Sequence, residues 1–160
     1  MTTKVFVFLI FVGCCLSSAK ADAWRFTHVD STAMAMTTNA DGNLFGVMCK
    51  KTMCYYVLTL DQECEEDTDY PVLANSDAGT NSFHVSCWTK LDDGYALTFN
   101  SYDAVDSLAR QANSVSFAIP ISNNKFRVEK FDLRGNIEVI DKMLAWVVKR
   151  YKKATTGYEM

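Results

Sequence analysis

Once its first 21 residues are set aside, the chain lacks any long apolar run, any C-x-x-C cysteine pair and any G-x-S-x-G motif. The first absence excludes a membrane-spanning helix there, because a span needs about 20 apolar residues. The second disfavours a structural zinc site, which is typically built on closely spaced thiolates. The third excludes the nucleophile elbow of α/β-hydrolases. Histidine is also scarce, with only His28 and His84.

The charge balance is mildly acidic, with 16 Lys and Arg against 19 Asp and Glu and a formal net charge of −3. The first 21 residues contain two lysines and no acid, so residues 22–160 carry a net charge of −5. Nucleic-acid binding relies on a net basic face that neutralises phosphates. A nucleic-acid partner is therefore not expected.

Residues 1–21 have the pattern of a secretory signal peptide. A short positive start ends at Lys4, an apolar run covers Val5–Leu16, and Ala19-Lys20-Ala21 supplies the small residues of a cleavage site. The apolar run is too short to cross a bilayer. We therefore expect cleavage after this tripeptide and a periplasmic or secreted mature chain, residues 22–160, that forms a single disulfide-containing β-rich domain.

A second processing route is also open. Phe11-Val12-Gly13-Cys14 resembles a bacterial lipobox, in which Cys14 becomes the lipidated first residue of the mature protein. Phe11 fits that motif poorly, because leucine is usual at its position, so the cut after Ala21 is the better match. Stable membrane attachment is therefore expected only if Cys14 is lipidated.

Four cysteines remain after cleavage: Cys49, Cys54, Cys64 and Cys87. An even number in an oxidising compartment predicts two disulfides. Four cysteines can pair in three ways, and we favour Cys49–Cys54 with Cys64–Cys87. If Lys51-Thr52 form the tip of a hairpin, Cys49 stands opposite Cys54, within the reach of a disulfide. A one-residue change of register would place these two cysteines on opposite faces.

Short alternating segments separated by turn residues dominate the mature chain, and they predict β-strands in hairpin succession. The segments are Trp24–Val29, Ala33–Thr38, Leu44–Cys49, Cys54–Leu60, Tyr70–Ala74, Ser82–Trp88, Tyr95–Phe99, Ser114–Ile119 and Phe126–Leu133. We therefore expect a mainly β fold, an antiparallel β-sandwich of about eight or nine strands.

Two further segments have helical periodicity. Asp103–Ala112 predicts one short helix, and Asn136–Lys153 predicts a C-terminal amphipathic helix with basic residues in its last turns. The apolar stripe of the second helix should bury Ile140, Leu144 and Val147 against the sheet.

Six carboxylates are concentrated in residues 61–69, here called the acidic loop. They are Asp61, Glu63, Glu65, Glu66, Asp67 and Asp69. Their spacing fits no EF-hand calcium loop, and no glycine lies at the centre. No metal and no cofactor are therefore predicted, and the acidic loop is the candidate contact surface for a basic partner.

No catalytic residues are predicted. Ser86 and His84 could be written as a triad with an aspartate, but side chains two positions apart on a strand rarely meet as nucleophile and base. Paired carboxylates of the glycosidase kind need only spatial proximity, so a small hydrolase stays open. The tryptophans Trp24, Trp88 and Trp146 are interpreted as core or interface anchors.

The order of elements resembles that of two groups of small exported bacterial proteins. An early tryptophan, Trp24, precedes a strand that ends in Cys49 and a second strand, Cys54–Leu60. Later in the chain, the strand Phe126–Leu133 leads into a terminal helix opened by Gly135. The junction of this strand and helix is the run Phe131-Asp132-Leu133-Arg134-Gly135. This pattern is similar to the invasion-associated locus B type and to VasI-like envelope proteins encoded with type VI secretion systems. The resemblance implies a periplasmic, non-catalytic β-sandwich. The chain departs from both groups in having no cysteine in its C-terminal helix and its disulfide framework confined to residues 49–87.

These observations favour a non-enzymatic exported domain that binds another protein, in the envelope or outside the cell. It would act as a virulence or secretion accessory, or as an inhibitor or immunity protein. Two alternatives are kept. One is a small periplasmic hydrolase that uses Asp and Glu residues, and the other is a carrier of a small ligand.

Overall fold

A computed structural model describes residues 22–61, 63–92, 94–121 and 125–155, and the predicted signal peptide, with Cys14, lies outside these ranges. Nine strands and two helices occur in the described part of the chain. They are β1 (Asp22–Val29), β2 (Thr32–Thr38), β3 (Leu44–Lys50), β4 (Met53–Leu60), β5 (Asp69–Ser76), β6 (Gly79–Leu91), β7 (Gly94–Phe99), α1 (Tyr102–Gln111), β8 (Ser114–Ile121), β9 (Lys125–Asp132) and α2 (Asn136–Thr155). Each segment predicted as a strand or a helix is one, so the prediction of a mainly β fold is confirmed.

All nine strands belong to one antiparallel sheet in the order β1-β2-β3-β4-β7-β6-β5-β8-β9. The predicted sandwich of two sheets is not confirmed, because hydrogen bonds between β4 and β7 and between β5 and β8 join every hairpin to the next. Successive side chains of a strand point to opposite faces of the sheet. In β2, every second residue is buried, as this alternation predicts for a strand with one buried face.

The sheet curls until strands from its two ends face each other across the core. The ring of Phe45 on β3 lies 4.9 Å from that of Phe117 on β8 and 5.4 Å from that of Phe131 on β9, measured between centroids. The indole nitrogen of Trp24 on β1 donates a hydrogen bond of 3.0 Å to the carbonyl oxygen of Asp132. A single curved sheet therefore encloses the core. In a sandwich, two separate sheets would enclose it.

Both helices lie at the same end of this curved sheet, where β7 and β9 finish. The hydroxyl of Tyr56 on β4 donates to Asp106 of α1 at 2.8 Å. Arg110 of α1 contacts both Asp106, at 2.7 Å, and Asp141 of α2, at 2.9 Å. Burial and the bond to Asp106 raise the pKa of Tyr56 far above its ordinary value, so this side chain stays a neutral donor that fixes α1 on the sheet.

Helix α2 packs against β1 and β2, but its buried stripe differs in part from the predicted one. Ile140 and Val147 are buried as expected, whereas Leu144 is only partly buried and Met143 is fully buried in its place. The positions 140, 143 and 147 follow the i, i+3, i+7 spacing of one helix face. The apolar pattern of the sequence therefore predicted the buried face of α2 to within one residue.

Replacing Ile140 by valine tests this packing. Ile140 is fully buried, and deleting one buried methylene is expected to lower the free energy of unfolding by about 1 kcal/mol. The matched control is Ile137→Val one turn earlier, where the side chain is 45% exposed and the loss should stay below about 0.5 kcal/mol. Urea denaturation measures both, and equal losses would show that α2 does not pack through this face.

Candidate functional site

The hairpin of β3 and β4 has the register that the sequence predicts. Lys50 pairs with Met53 and Cys49 stands opposite Cys54. Lys51 takes a positive φ of 57° at the tip, which a two-residue hairpin turn of this kind requires. Cys49 and Cys54 form a disulfide with their Cα atoms 4.0 Å apart.

The second disulfide, Cys64–Cys87, ties the acidic loop to β6, with the Cα atoms 6.0 Å apart. Two backbone hydrogen bonds strengthen this attachment. The N–H of Asp67 donates to the carbonyl of Cys87, and the N–H of Cys87 donates to the carbonyl of Thr68. The hydroxyl of Tyr70 also accepts a bond of 3.0 Å from the backbone N–H of Glu65. The acidic loop is therefore attached to β6 at Cys87 and to Tyr70, although its residues 63–68 belong to no strand or helix.

All six carboxylates of the acidic loop are solvent-exposed, and they divide into groups with different surroundings. Asp61, Glu63 and Glu65 line a cavity. Asp69 is held by Ser86 on β6 and by Asn100, which directly follows β7. The remaining two, Glu66 and Asp67, are exposed to solvent outside the cavity.

The cavity lies at the end of the curled sheet opposite the helices and has a volume of about 910 Å³. Its buried surface comes from three strands, with Leu60 at the end of β4, Leu97 on β7 and Ile119 on β8. Tyr70 and Tyr95 are half-buried in the cavity wall. Apolar walls with a few polar groups at the entrance are typical of a binding site.

Gly94 allows β4 and β7 to meet closely in the wall of the cavity. Its φ is +148°, and a Cβ at this position would lie 2.0 Å from the carbonyl oxygen of Leu60. Only glycine permits the first residue of β7 to approach the end of β4 so closely. Tyr95 and Leu60 are thereby brought side by side as paired residues.

A chain of polar side chains next to the cavity was not predicted from the sequence. Arg127 on β9 pairs with Ile119 of the cavity wall and contacts both Asp61 and Glu129 at 2.5 Å. Glu129 is completely buried, and its other oxygen accepts a bond of 2.5 Å from the amide of Asn39. The bond to Glu129 is the main cause that raises the pKa of Arg127, so the guanidinium stays charged and fixes Asp61 at the cavity entrance.

The polar set around Ser86 does not have the geometry of a catalytic triad. The hydroxyl of Ser86 donates directly to Asp69 at 2.5 Å, whereas a triad needs a histidine between the two. Asn100 donates to the same carboxylate at 3.4 Å. His84 contributes only a weaker electrostatic effect on Asp69. Within the described residues, no three His, Cys, Asp or Glu side chains are arranged to hold a metal ion.

The hydrogen bond from Ser86 is the main cause that lowers the pKa of Asp69, followed by the one from Asn100. Because the folded-state pKa is depressed, this contribution to stability is present above the ordinary carboxyl range and is lost as pH falls through the folded value. Ser86→Ala should raise the pKa of Asp69 toward its ordinary value in an NMR titration of the carboxyl carbons. Ser107→Ala on α1 is the control and should leave it unchanged. An equal shift in both variants would contradict this assignment.

The three tryptophans have different roles. Trp24 is buried against the edge of Phe45. Trp146 on α2 is half-buried between His28, stacked at 4.7 Å, and the guanidinium of Arg150, 5.1 Å from the ring centroid. Trp88 is 48% exposed and directly follows Cys87, to which the acidic loop is bonded. Its backbone therefore lies next to the loop, because the N–H of Asp67 donates to the carbonyl of Cys87.

No family model, no curated protein and no solved structure matches this chain. The resemblance to exported envelope proteins consequently remains a prediction from the sequence. Among the described residues, neither helix has an apolar stretch long enough to span a bilayer. The two disulfides are compatible with an oxidising compartment outside the cytoplasm.

Proposed function

We propose that the protein is a non-enzymatic exported domain that binds a basic partner protein through the acidic loop and Trp88. The observation that carries this proposal is the covalent attachment of a six-carboxylate loop to β6 by Cys64–Cys87. A loop held in one conformation before binding loses little conformational freedom in the complex. An accessory in secretion and an inhibitor of a secreted enzyme both need such a preorganised contact surface.

The chemistry of this surface fits an interface. Its carboxylates attract a positively charged partner and raise the rate of encounter, with an effect that salt weakens. Trp88 offers a large, exposed aromatic ring one residue after Cys87, to which the loop is bonded. Tryptophan is enriched among the few residues that carry most of the energy of a protein–protein contact. The loop thus supplies charge complementarity, and Trp88 supplies an apolar anchor.

Photo-crosslinking in the producing cell tests the proposal. A photoreactive phenylalanine analogue at position 88 should give one discrete protein adduct. The same analogue at Val29, which is 62% exposed at the end of the sheet that carries the helices, should give none. The partner identified from the adduct should then bind the purified exported protein. Its dissociation constant should rise as ionic strength increases from about 0.05 M to about 0.5 M.

Two double variants with the same net charge distinguish the effect of the loop carboxylates on binding from the effect of the protein's net charge. Glu63→Gln/Glu66→Gln should weaken partner binding by about tenfold, because two charge-assisted contacts are lost. Asp103→Asn/Glu138→Gln removes two acids from the first turns of the helices and should leave binding unchanged. Equal adducts from positions 88 and 29, or equal losses in the two double variants, would overturn the proposal.

A further inference from the structure

We infer that the cavity binds a cationic amphiphilic segment of the partner protein. An apolar side chain of that segment enters the cavity, and the Lys or Arg residues next to it in the partner's sequence stay at the entrance. The inference rests on the proposed function and specifies what the partner presents. It follows from the volume, the polarity and the charge of the cavity.

The inner part of the cavity is apolar. Leu60, Leu97 and Ile119 are at most 5% exposed in the lining, and the half-buried rings of Tyr70 and Tyr95 extend this surface outward. A volume of about 910 Å³ lies within the range of about 300–1,000 Å³ usual for ligand pockets. The cavity is therefore large enough for a leucine-sized or aromatic side chain together with part of the backbone that carries it.

The entrance has more carboxylates than the described basic side chains pair with. Arg127 pairs with Asp61, whereas Glu63 and Glu65 form no ion pair within the described ranges. Both glutamates are exposed, and the apolar residues are buried. A ligand is thus expected to place its apolar group inside and its positive charges at the entrance. An anionic amphiphile of the same shape would meet repulsion there.

Three capped tripeptides separate these requirements, each titrated into the exported full-length protein by calorimetry. The peptide Lys-Leu-Lys should bind, and its signal should be lost in high salt. Lys-Ser-Lys should bind at least about tenfold more weakly, because it lacks an apolar side chain of the size whose burial is favourable. Glu-Leu-Glu should not bind measurably.

Two changes in the protein locate the binding in the cavity. Thr68→Trp places a large ring in the lining without altering the buried leucines, and it should abolish binding of Lys-Leu-Lys. Glu63→Gln/Glu65→Gln should weaken that binding by about tenfold through loss of the entrance charge. Asp103→Asn/Glu138→Gln, on the helices, should not change it. Circular dichroism confirms that each variant is folded.

The inference is overturned if Lys-Leu-Lys and Lys-Ser-Lys bind equally, if Glu-Leu-Glu binds as well as Lys-Leu-Lys, or if Thr68→Trp binds Lys-Leu-Lys normally. Failure here is distinguishable from failure of the proposed function. A partner that still binds the Thr68→Trp protein, and still loses affinity with Glu63→Gln/Glu66→Gln, would show that the acidic loop works without the cavity. Binding of neutral apolar molecules alone would instead indicate a small-ligand carrier.

Discussion

Arg127→Leu is expected to lower the free energy of unfolding by about 3 kcal/mol, because it leaves the buried carboxylate of Glu129 with one partner among the described residues, the amide of Asn39. Glu129 has no exposed surface, and its contacts are Arg127 and the amide of Asn39. Removing one member of a buried ion pair typically costs about 3–5 kcal/mol. We expect the lower end of that range because Arg127 itself is 28% exposed. Urea denaturation at neutral pH measures the loss.

The double variant Arg127→Leu/Glu129→Leu is the control for this interpretation. Replacing both members of a buried pair by apolar side chains is often close to neutral, although the amide of Asn39 would then lose its acceptor at a cost of about 1–3 kcal/mol. The double variant should therefore be more stable than Arg127→Leu alone. A double variant as unstable as the sum of its two single variants would show that the pair does not act as a unit.

Removing the Cys64–Cys87 disulfide by a double alanine substitution should cost about 3 kcal/mol of unfolding free energy. In the chain-entropy account, the benefit of a disulfide grows with the logarithm of the loop it closes. This bridge spans 23 positions and Cys49–Cys54 spans 5, for which the same relation predicts about 2 kcal/mol. The longer bridge is thus the more important one for stability, by about 1 kcal/mol.

The two disulfides should differ more clearly in function. Without Cys64–Cys87, the acidic loop keeps its hydrogen bonds to β6 and Tyr70 and the contacts of its two ends, Asp61 with Arg127 and Asp69 with Ser86 and Asn100. Amide exchange in residues 63–68 should therefore become faster, and partner affinity should fall. Without Cys49–Cys54, which lies at the other end of β4, neither should change. Unchanged amide exchange in the first variant would mean that the hydrogen bonds alone fix the loop.

Local features of this fold could be predicted because neighbouring residues determine them. The hairpin that joins Cys49 to Cys54 depends on one two-residue turn, and the alternation on either side fixes which residues face inward. The helices follow from the spacing of their apolar residues. In each case, the interacting residues are separated by only a few positions in the chain.

The sheet order could not be predicted in the same way. Strand β4 pairs with β7, and β5 pairs with β8, across connections that contain other strands or a helix. Hairpin signals identify which consecutive strands pair, but they carry no information on how one hairpin joins another. For this reason the same strands were compatible with a sandwich, and the structure has a single curled sheet instead.

The cavity and its polar neighbours depend on this long-range arrangement. Asp61 and Arg127 are brought together only because the sheet curls β9 toward the end of β4. One signal was present in the sequence, since Arg127, Glu129 and Phe131 alternate along one face of β9. Charged residues in phase with a buried phenylalanine indicate a polar cluster inside the fold, but not the identity of its partners.

The curled sheet also imposes an order on folding. Trp24 bonds to Asp132, and the hydroxyl of Tyr151 bonds to the carbonyl of Ser31, across 108 and 120 positions of sequence respectively. Synthesis proceeds from the N-terminus, so β1 and β2 emerge long before β9 and α2 can cover them. Trp24 consequently lacks its partner Asp132, and Phe26 and His28 lack Trp146, until almost the whole chain has been synthesised. Chains that stop before Asn136 would lack α2 and would leave the part of β1 and β2 that it covers exposed, which makes them targets for chaperones, proteases and aggregation.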